Sequence, residues 1–493
     1  MKLVIMFLLA TLACQAAELA KTLRDDATRA MDIGIKFFSR EVAVEGTYLW
    51  QYSDDLQKRE GEGKASVTQG WIQPPGTPAV GMALLDAWRA TSNRLHLDAA
   101  RETARGLLRA QVRSGGWHYA VDFDPAARGK VAYRDGGGTR RARNVTTFDD
   151  DTTQAALRFL VRMDETLGFG DTNIAEAISQ ALNAIFKVQY PNGAWPQGYE
   201  EFPDAVKFPV KRASYPAEWP RTWPGSQQYW LRYTLNDNAL ATIVESLFDV
   251  TRTYKSTRAG KARNDLATRA EAAARKAGDF LLLAQMPEPQ PAWAQQYDFD
   301  MHPTWARKFE PPSVSAGESR GVLRILMKLY RETGERKYLE PIPRALDYLR
   351  RCRLPDGKLA RFYELRSNRP LYFTRDYTLT YDDRDVPTHY AFKIADDLDA
   401  ITREFNAVKA LSVADLKRNA SPPPKASPDI EREVRAIIAA QDARGRWVEE
   451  GRLRYHGADD SSTNVIRSAT FIHNVQTLSR YLEATKVPSS ADQ

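Results

Sequence analysis

Three consecutive carboxylates, Asp149, Asp150 and Asp151, stand in the segment TTFDDDTTQ (146–154). An aspartate ahead of a helix accepts hydrogen bonds from free backbone N–H groups, and one is enough for that task. Three in a row repel one another, a cost that needs an offset such as a cation. Asp237, between Asn236 and Asn238, is a second oxygen-rich helix start. Carboxylate and amide oxygens are what a hard cation such as Ca2+ takes. Helix capping and the binding of a cation or substrate both stay open on residue types alone.

A second group is cationic. Residues 358–393 spread Arg361, Arg366, Arg369, Arg375 and Arg384 through an aromatic-rich segment with little helical period. Arginine forks bind carboxylates through paired hydrogen bonds and stack on rings. Surface ion pairs with Asp376, Asp382, Asp383 and Asp385 are the competing use. A third group is aromatic: Trp71, Trp117, Tyr119, Trp195, Tyr199, Tyr215, Trp219 and Trp223. Such rings either pack a core or, where exposed, stack on sugars. There is no G-x-S-x-G, no H-E-x-x-H, no P-loop and no cysteine cluster, and the 6 histidines are scattered. A nucleophilic hydrolase or a zinc enzyme is therefore disfavoured.

The elements that must position these residues are set by a repeat. QVRSGGW, QYPNGAW and QDARGRW place Gln111, Gly115 and Trp117, then Gln189, Gly193 and Trp195, then Gln441, Gly445 and Trp447 at one spacing. Gln285 to Trp293 is a looser copy, and Arg353, Gly357 and Leu359 keep the spacing with other residues. In chain order, each of the first four sites follows two helical segments. The first helices show apolar stripes, such as Leu240, Ile243, Val244 and Leu247, or Val322, Ile325, Leu326 and Leu329. The second helices are expected over 98–111, 174–189, 265–285 and 338–351.

Helical hairpins that cannot bury a face alone must stack, here as an all-α toroid rather than an open solenoid, because the loops carry irregular Trp-rich insertions. In an antiparallel hairpin the start of the first helix and the end of the second lie together. The acidic segments and the Gly-x-Trp loops should therefore gather at one rim, where a cleft would form.

Composition bounds the partners. The 493 residues are 43% hydrophobic, enough for a large core, and 70 Lys plus Arg against 63 Asp plus Glu leave a formal charge of +7. A mildly basic chain suits an anionic partner. Lys2, apolar Leu3 to Ala13 and small Ala16 and Ala17 read as a signal peptide over 1–16, so the chain is expected to be exported, periplasmic or secreted. A lipid anchor at Cys14 is the alternative, although Thr11 stands where such a site wants Leu. No other apolar run is long enough for a membrane span. After cleavage only Cys352 remains, which rules out an internal disulfide. The expected units are the toroid over 17–420, a Pro-rich linker over 421–429 and a last helical hairpin over 430–493 that packs on the toroid.

WIQPPGTPAVG (71–81), TTFDDDTTQAALRFL (146–160), GAWPQ (193–197), TLNDNAL (234–240) and ARFYELRSNRPLYFTRD (360–376) resemble, in order, the blocks of the pectate lyases of polysaccharide lyase family 10. The resemblance implies an (α/α)3 toroid that cleaves polygalacturonate, or pectin, by Ca2+-assisted β-elimination. Carried over by position, Arg375 looks like the family's catalytic base and Arg361 like a substrate-binding arginine. Asp149 and Asp237 look like acidic residues near the cation and the cleavage subsite, with Asp149 and Trp195 also on the substrate. Arg384 matches another substrate arginine less closely, since the segment after Arg375 is shorter than the family pattern. Tyr377 replaces the usual Gly after Arg-Asp, and residues 198–233 form an insertion rich in Trp and Pro. No nucleic-acid partner is expected, and the chain is expected to act as a monomer. A glycoside hydrolase acting on an acidic polysaccharide, with Asp149 and Asp237 as its two carboxylates, and a non-catalytic pectin-binding toroid are the other readings.

Overall fold

The computed structural model describes residues 22–136, 138–139, 141–417 and 425–486. The expected signal peptide and residues 421–424 of the expected linker lie outside them. Long amphipathic helices carry the chain: α1 (22–37), α2 (Thr77–Thr91), α3 (Arg94–Ala110), α4 (Thr152–Thr166), α5 (Thr172–Val188) and α6 (Ala239–Tyr254). They continue with α7 (Lys261–Ala284), α8 (Ala316–Thr333), α9 (Ile342–Arg351), α10 (Leu398–Lys409), α11 (Pro428–Ala439) and α12 (Ser468–Ala484).

Alternate helices form an inner row. α12 packs on α2, α2 on α4, α4 on α6, α6 on α8 and α8 on α10, while α3, α5 and α7 neighbour one another outside. The C-terminal helix thus meets the N-terminal part of the chain. The strand Asn464–Arg467 also pairs antiparallel with Gln51–Ser53. The all-α toroid of hairpins is the observed architecture. In this chain its inner row takes in six helices among the described residues, extending the three-hairpin form.

The repeated Gln, Gly and Trp are the staples of this ring. Gln111 Nε2 donates to Gly115 O (2.8 Å) in its own loop and to Ala177 O (2.9 Å) on the next outer helix. Gln189 does the same with Gly193 and Ala273, Gln285 with Pro291 and Pro341, and Gln441 with Gly445 and Ala30. Each link satisfies a backbone carbonyl that would otherwise be left buried and unpaired. Trp117, Trp195, Trp293 and Trp447 turn back onto their own outer helix and donate Nε1 to a carbonyl at 2.8–2.9 Å. Gly193 has φ +101°, and a Cβ there would lie 2.1 Å from the Lys276 carbonyl, so only glycine lets this loop touch α7.

Three of the second helices start earlier than their periodicity predicts, and α9 starts later, at Ile342 after a short 3-10 turn over Arg336–Leu339. α3 begins at Arg94, capped by the Asn93 side chain on Leu95 N (3.0 Å), and α7 begins at Lys261. The first turn of α7 is exposed or half-buried and carries no apolar stripe, whereas that of α3 already buries His96 and Leu97. Ahead of the inner helices lie two-stranded ladders: Thr146–Thr147 with Gly198–Tyr199, and Tyr233–Thr234 with Gln296–Tyr297. A four-stranded sheet joins Ser313–Ser315, Phe362–Glu364, Pro370–Phe373 and Leu379–Thr380. Among the described residues no helix is long and apolar enough to cross a membrane.

Candidate functional site

Two turns of the same shape build the site. Each follows a short ladder and enters an inner helix: Asp149–Asp151 before α4 and Asn236–Asn238 before α6. Asp150, Asp151, Asp237 and Asn238 adopt left-handed backbone, with φ between 45° and 61°. Asp and Asn tolerate that region better than other residues with a side chain. The turns aim Asp149, Asp150 and Asp237 at one point, and their carboxylate oxygens come within 4.8 Å of one another. Asp151 faces the other way and pairs with Arg158 (2.9 Å). Tyr119 Oη donates to Asp149 Oδ2 (2.7 Å), and Gln73 Nε2, ahead of α2, donates to Asp150 Oδ2 (2.8 Å). Starts of successive inner helices therefore meet at one rim, as the hairpin geometry requires.

Electrostatics mark the cluster as a place that wants positive charge. Loss of water, then the charges of Asp149 and Glu62, push Asp150 up to about 6. Loss of water, then Asp149 and Asp150, push Asp237 up to about 7. Asp149 Oδ1 is buried with no hydrogen-bond partner. An orphaned carboxylate oxygen beside two further carboxylates is a donor set that fits a hard divalent cation.

Arginines flank the acids. Arg307 Nη2 lies 3.9 Å from Asp237 Oδ2, while its Nε donates to Glu310 Oε2 at 2.8 Å. Arg361 Nη1 lies 3.5 Å from Glu318 Oε1, and its guanidinium stands over the Tyr390 ring, 4.7 Å from the centroid. Burial disfavours both cations, but the bond and charge of Glu310 on Arg307, and the charge of Glu318 on Arg361, more than offset it and hold both above the ordinary range.

The other sequence-predicted residues lie apart from the cluster. Arg375, in the turn after Pro370–Phe373, is 75% exposed with its Nε 2.9 Å from Asp385. That turn packs through Tyr377 on Phe309, two residues from Arg307. Arg384 is exposed and pairs with Asp382. Trp195, expected on the substrate, is 1% exposed, its ring packed in the core and its Nε1 bonded to Ile185 O, so it offers no face to a sugar. Asp150 belonged to the carboxylate run that the sequence marked, without a role of its own, whereas Arg307 and Glu310 were not singled out by sequence reasoning. Arg307 sits in the loop RKFEPPS (307–313) with no acidic cluster or arginine spread around it.

At the rim of this helical toroid three carboxylates converge with arginines beside them, and the comparisons place the chain among the polysaccharide lyases. The chain belongs to the pectic acid lyase family, whose model matches residues 111–356. Among solved structures it is similar to a family 10 polysaccharide lyase from Cellvibrio cellulosa, with 23% identity, TM-score 0.45, and 68% of this chain and 98% of that one covered. A mutant of that lyase in complex with trigalacturonic acid aligns at 22% identity and TM-score 0.47, over 67% and 98% of the two chains. An unsaturated glucuronyl hydrolase specific for heparin aligns at 11% identity and TM-score 0.40, over 94% and 98%. No curated protein matches the chain.

Proposed function

We propose that this polysaccharide lyase cleaves polygalacturonate by β-elimination, with Ca2+ held by Asp149, Asp150 and Asp237 and with Arg375 as the base. The observation that carries the reading is the convergence of those three carboxylates within 4.8 Å beside Arg307 and Arg361. A cation bound there would draw charge from the uronate carboxylate and acidify the neighbouring C5–H.

The chain's own residues divide the remaining work. Arg307 and Arg361 are anchored as cations by Glu310 and Glu318, so they suit binding of the uronate carboxylate and stabilisation of the enolate charge that develops on it. The same anchoring makes them poor proton acceptors, which leaves the exposed Arg375 for that role. Arginine is ordinarily protonated, and neighbouring cations favour its neutral form. Neutral Arg375 takes the C5 proton, the C4–O bond breaks, a C4=C5 double bond forms and the departing oxygen is protonated from solvent. Arg375 must leave Asp385 to reach the sugar. Arg384 contributes a further carboxylate contact from the same exposed segment, and the enzyme acts as an exported monomer.

The test is ultraviolet absorbance of the unsaturated uronate, with Ca2+ or chelator, for the wild type and for Arg375→Ala and Arg375→Lys. A Ca2+-dependent rise in the wild type, lost in both variants, is the expected result. New reducing ends without that absorbance would mean hydrolysis and would end this reading.

A further inference from the structure

A groove of ≈ 910 Å3 starts at Asp149 and Tyr119 and runs outward along Thr147, Arg143, Tyr229 and Trp230. A second groove, of ≈ 490 Å3, continues beyond it toward Lys130, and His118, Arg143 and Val145 line both. Arg143 thus stands at the junction of two hollows, one of which opens at the carboxylate cluster. Its side chain is exposed and makes no salt bridge among the described residues, unlike Arg307, Arg361, Arg375 and Arg384. Lys130 is likewise exposed and without an acidic partner among them. Burial, then the Arg143 charge, pushes His118 down to about 4, so the ring is neutral and Arg143 is the cation at the junction.

Glu200 and Glu201, both exposed, also line the first groove and Asp122 lines the second, so the carboxylates of a polyanion must be held by the cations among them. Trp230, 39% exposed, presents a ring on which a sugar can stack. An unpaired arginine in a groove contributes more than one already neutralised, because no internal ion pair must break before a carboxylate binds.

We propose that the cleft extends from Asp149 past Arg143 to Lys130 and holds uronate residues remote from the scissile bond, with Arg143 binding the first of their carboxylates. The inference rests on the assignment of an acidic polysaccharide as substrate. It makes the enzyme selective for long, unesterified chains, since each added uronate carboxylate finds a cation only when the chain is long enough to reach it.

The experiment compares trigalacturonate with hexagalacturonate as substrates of the wild type, Arg143→Ala and Arg143→Lys. The ratio of kcat/KM for hexamer over trimer should fall about tenfold in Arg143→Ala, through KM, with partial retention in Arg143→Lys. A ratio unchanged by Arg143→Ala overturns the proposal, and so does an equal loss on both substrates. Calorimetric titration with saturated hexagalacturonate in chelator keeps the groove separable from the chemistry. A wild type that binds the hexamer about tenfold more tightly than Arg143→Ala supports the groove even if no unsaturated product forms. Equal affinities overturn it.

Discussion

Arg307 grips Glu310 through its Nε and Nη2 nitrogens and brings the same Nη2 to 3.9 Å from Asp237 Oδ2. One guanidinium is thus tied to a buried glutamate and presented to the carboxylate cluster. The insertion rich in Trp and Pro buttresses this loop: Trp223 Nε1 donates to Ala306 O (2.9 Å), and Trp305 Nε1 donates to Pro220 O (2.7 Å). The arginine is therefore fixed as a cation before substrate arrives.

Removing that cation should act on the transition state. Arg307→Ala is expected to lower kcat/KM on polygalacturonate by about 10²–10³-fold, the scale of deleting one preorganised charge partner. Arg307→Lys keeps the charge but loses the fork, so it should fall between the two. Initial rates of unsaturated-product formation measure this. Equal rates for wild type and Arg307→Ala would remove Arg307 from the site.

Neutralising one carboxylate should separate folding from cation binding. Asp150 has a folded pKa raised to about 6, so its ionised form is disfavoured by the fold. Its destabilising effect is absent at pH well below the unfolded value and fully present above about 6. In chelator at neutral pH, Asp150→Asn should therefore melt higher than the wild type. With Ca2+ added, the wild type should gain thermal stability by mass action and the variant should gain much less. A variant that gains as much as the wild type would take Asp150 out of the cation site.

Protons and the cation compete for the same oxygens. Asp237 and Asp150 begin to protonate as pH falls through about 7 and about 6. Cation affinity should weaken as pH is lowered from about 8 to about 5, and binding at neutral pH should release protons. Calorimetry in buffers of different ionisation enthalpy reads the proton count. No release at neutral pH would contradict the assignment of these two acids.

Trp195 should matter for folding rather than for sugar. Its ring is buried and its Nε1 bonds to Ile185 O. Trp195→Phe loses that bond and some volume, at a cost of about 1–3 kcal/mol, and should lower Tm while KM stays near the wild-type value. A raised KM with an unchanged Tm would restore Trp195 to the substrate.

Much of this architecture was legible in the residues. Apolar stripes at helical spacing located the inner helices because a helix that buries one face must repeat it every three to four positions. The Gln, Gly and Trp spacing located the loops, and antiparallel connection was enough to send Asp149 and Asp237 to one rim. What the stripes missed were the first turns at Arg94 and Lys261, and the short strands from Ser313 to Thr380. Those strands are two to four residues long, too short for an alternating pattern to stand out.

Only the tertiary structure decided which side chains share the site. Neighbouring aspartates differ in fate: left-handed turns send Asp149 and Asp150 toward Asp237, whereas Asp151 turns to Arg158. Arginine count in a segment does not say which arginine meets an acid. Arg307, from a loop with no such pattern, reaches Asp237, while Arg375 and Arg384 stay in exposed pairs with Asp385 and Asp382. Trp195 and Trp230 are the same residue type, yet one is sealed in the core and the other is open to a groove. Periodicity and connectivity are properties of the chain and can be read along it. Burial, backbone handedness and the distance between charges remote in sequence are set by packing, and no local pattern encodes them.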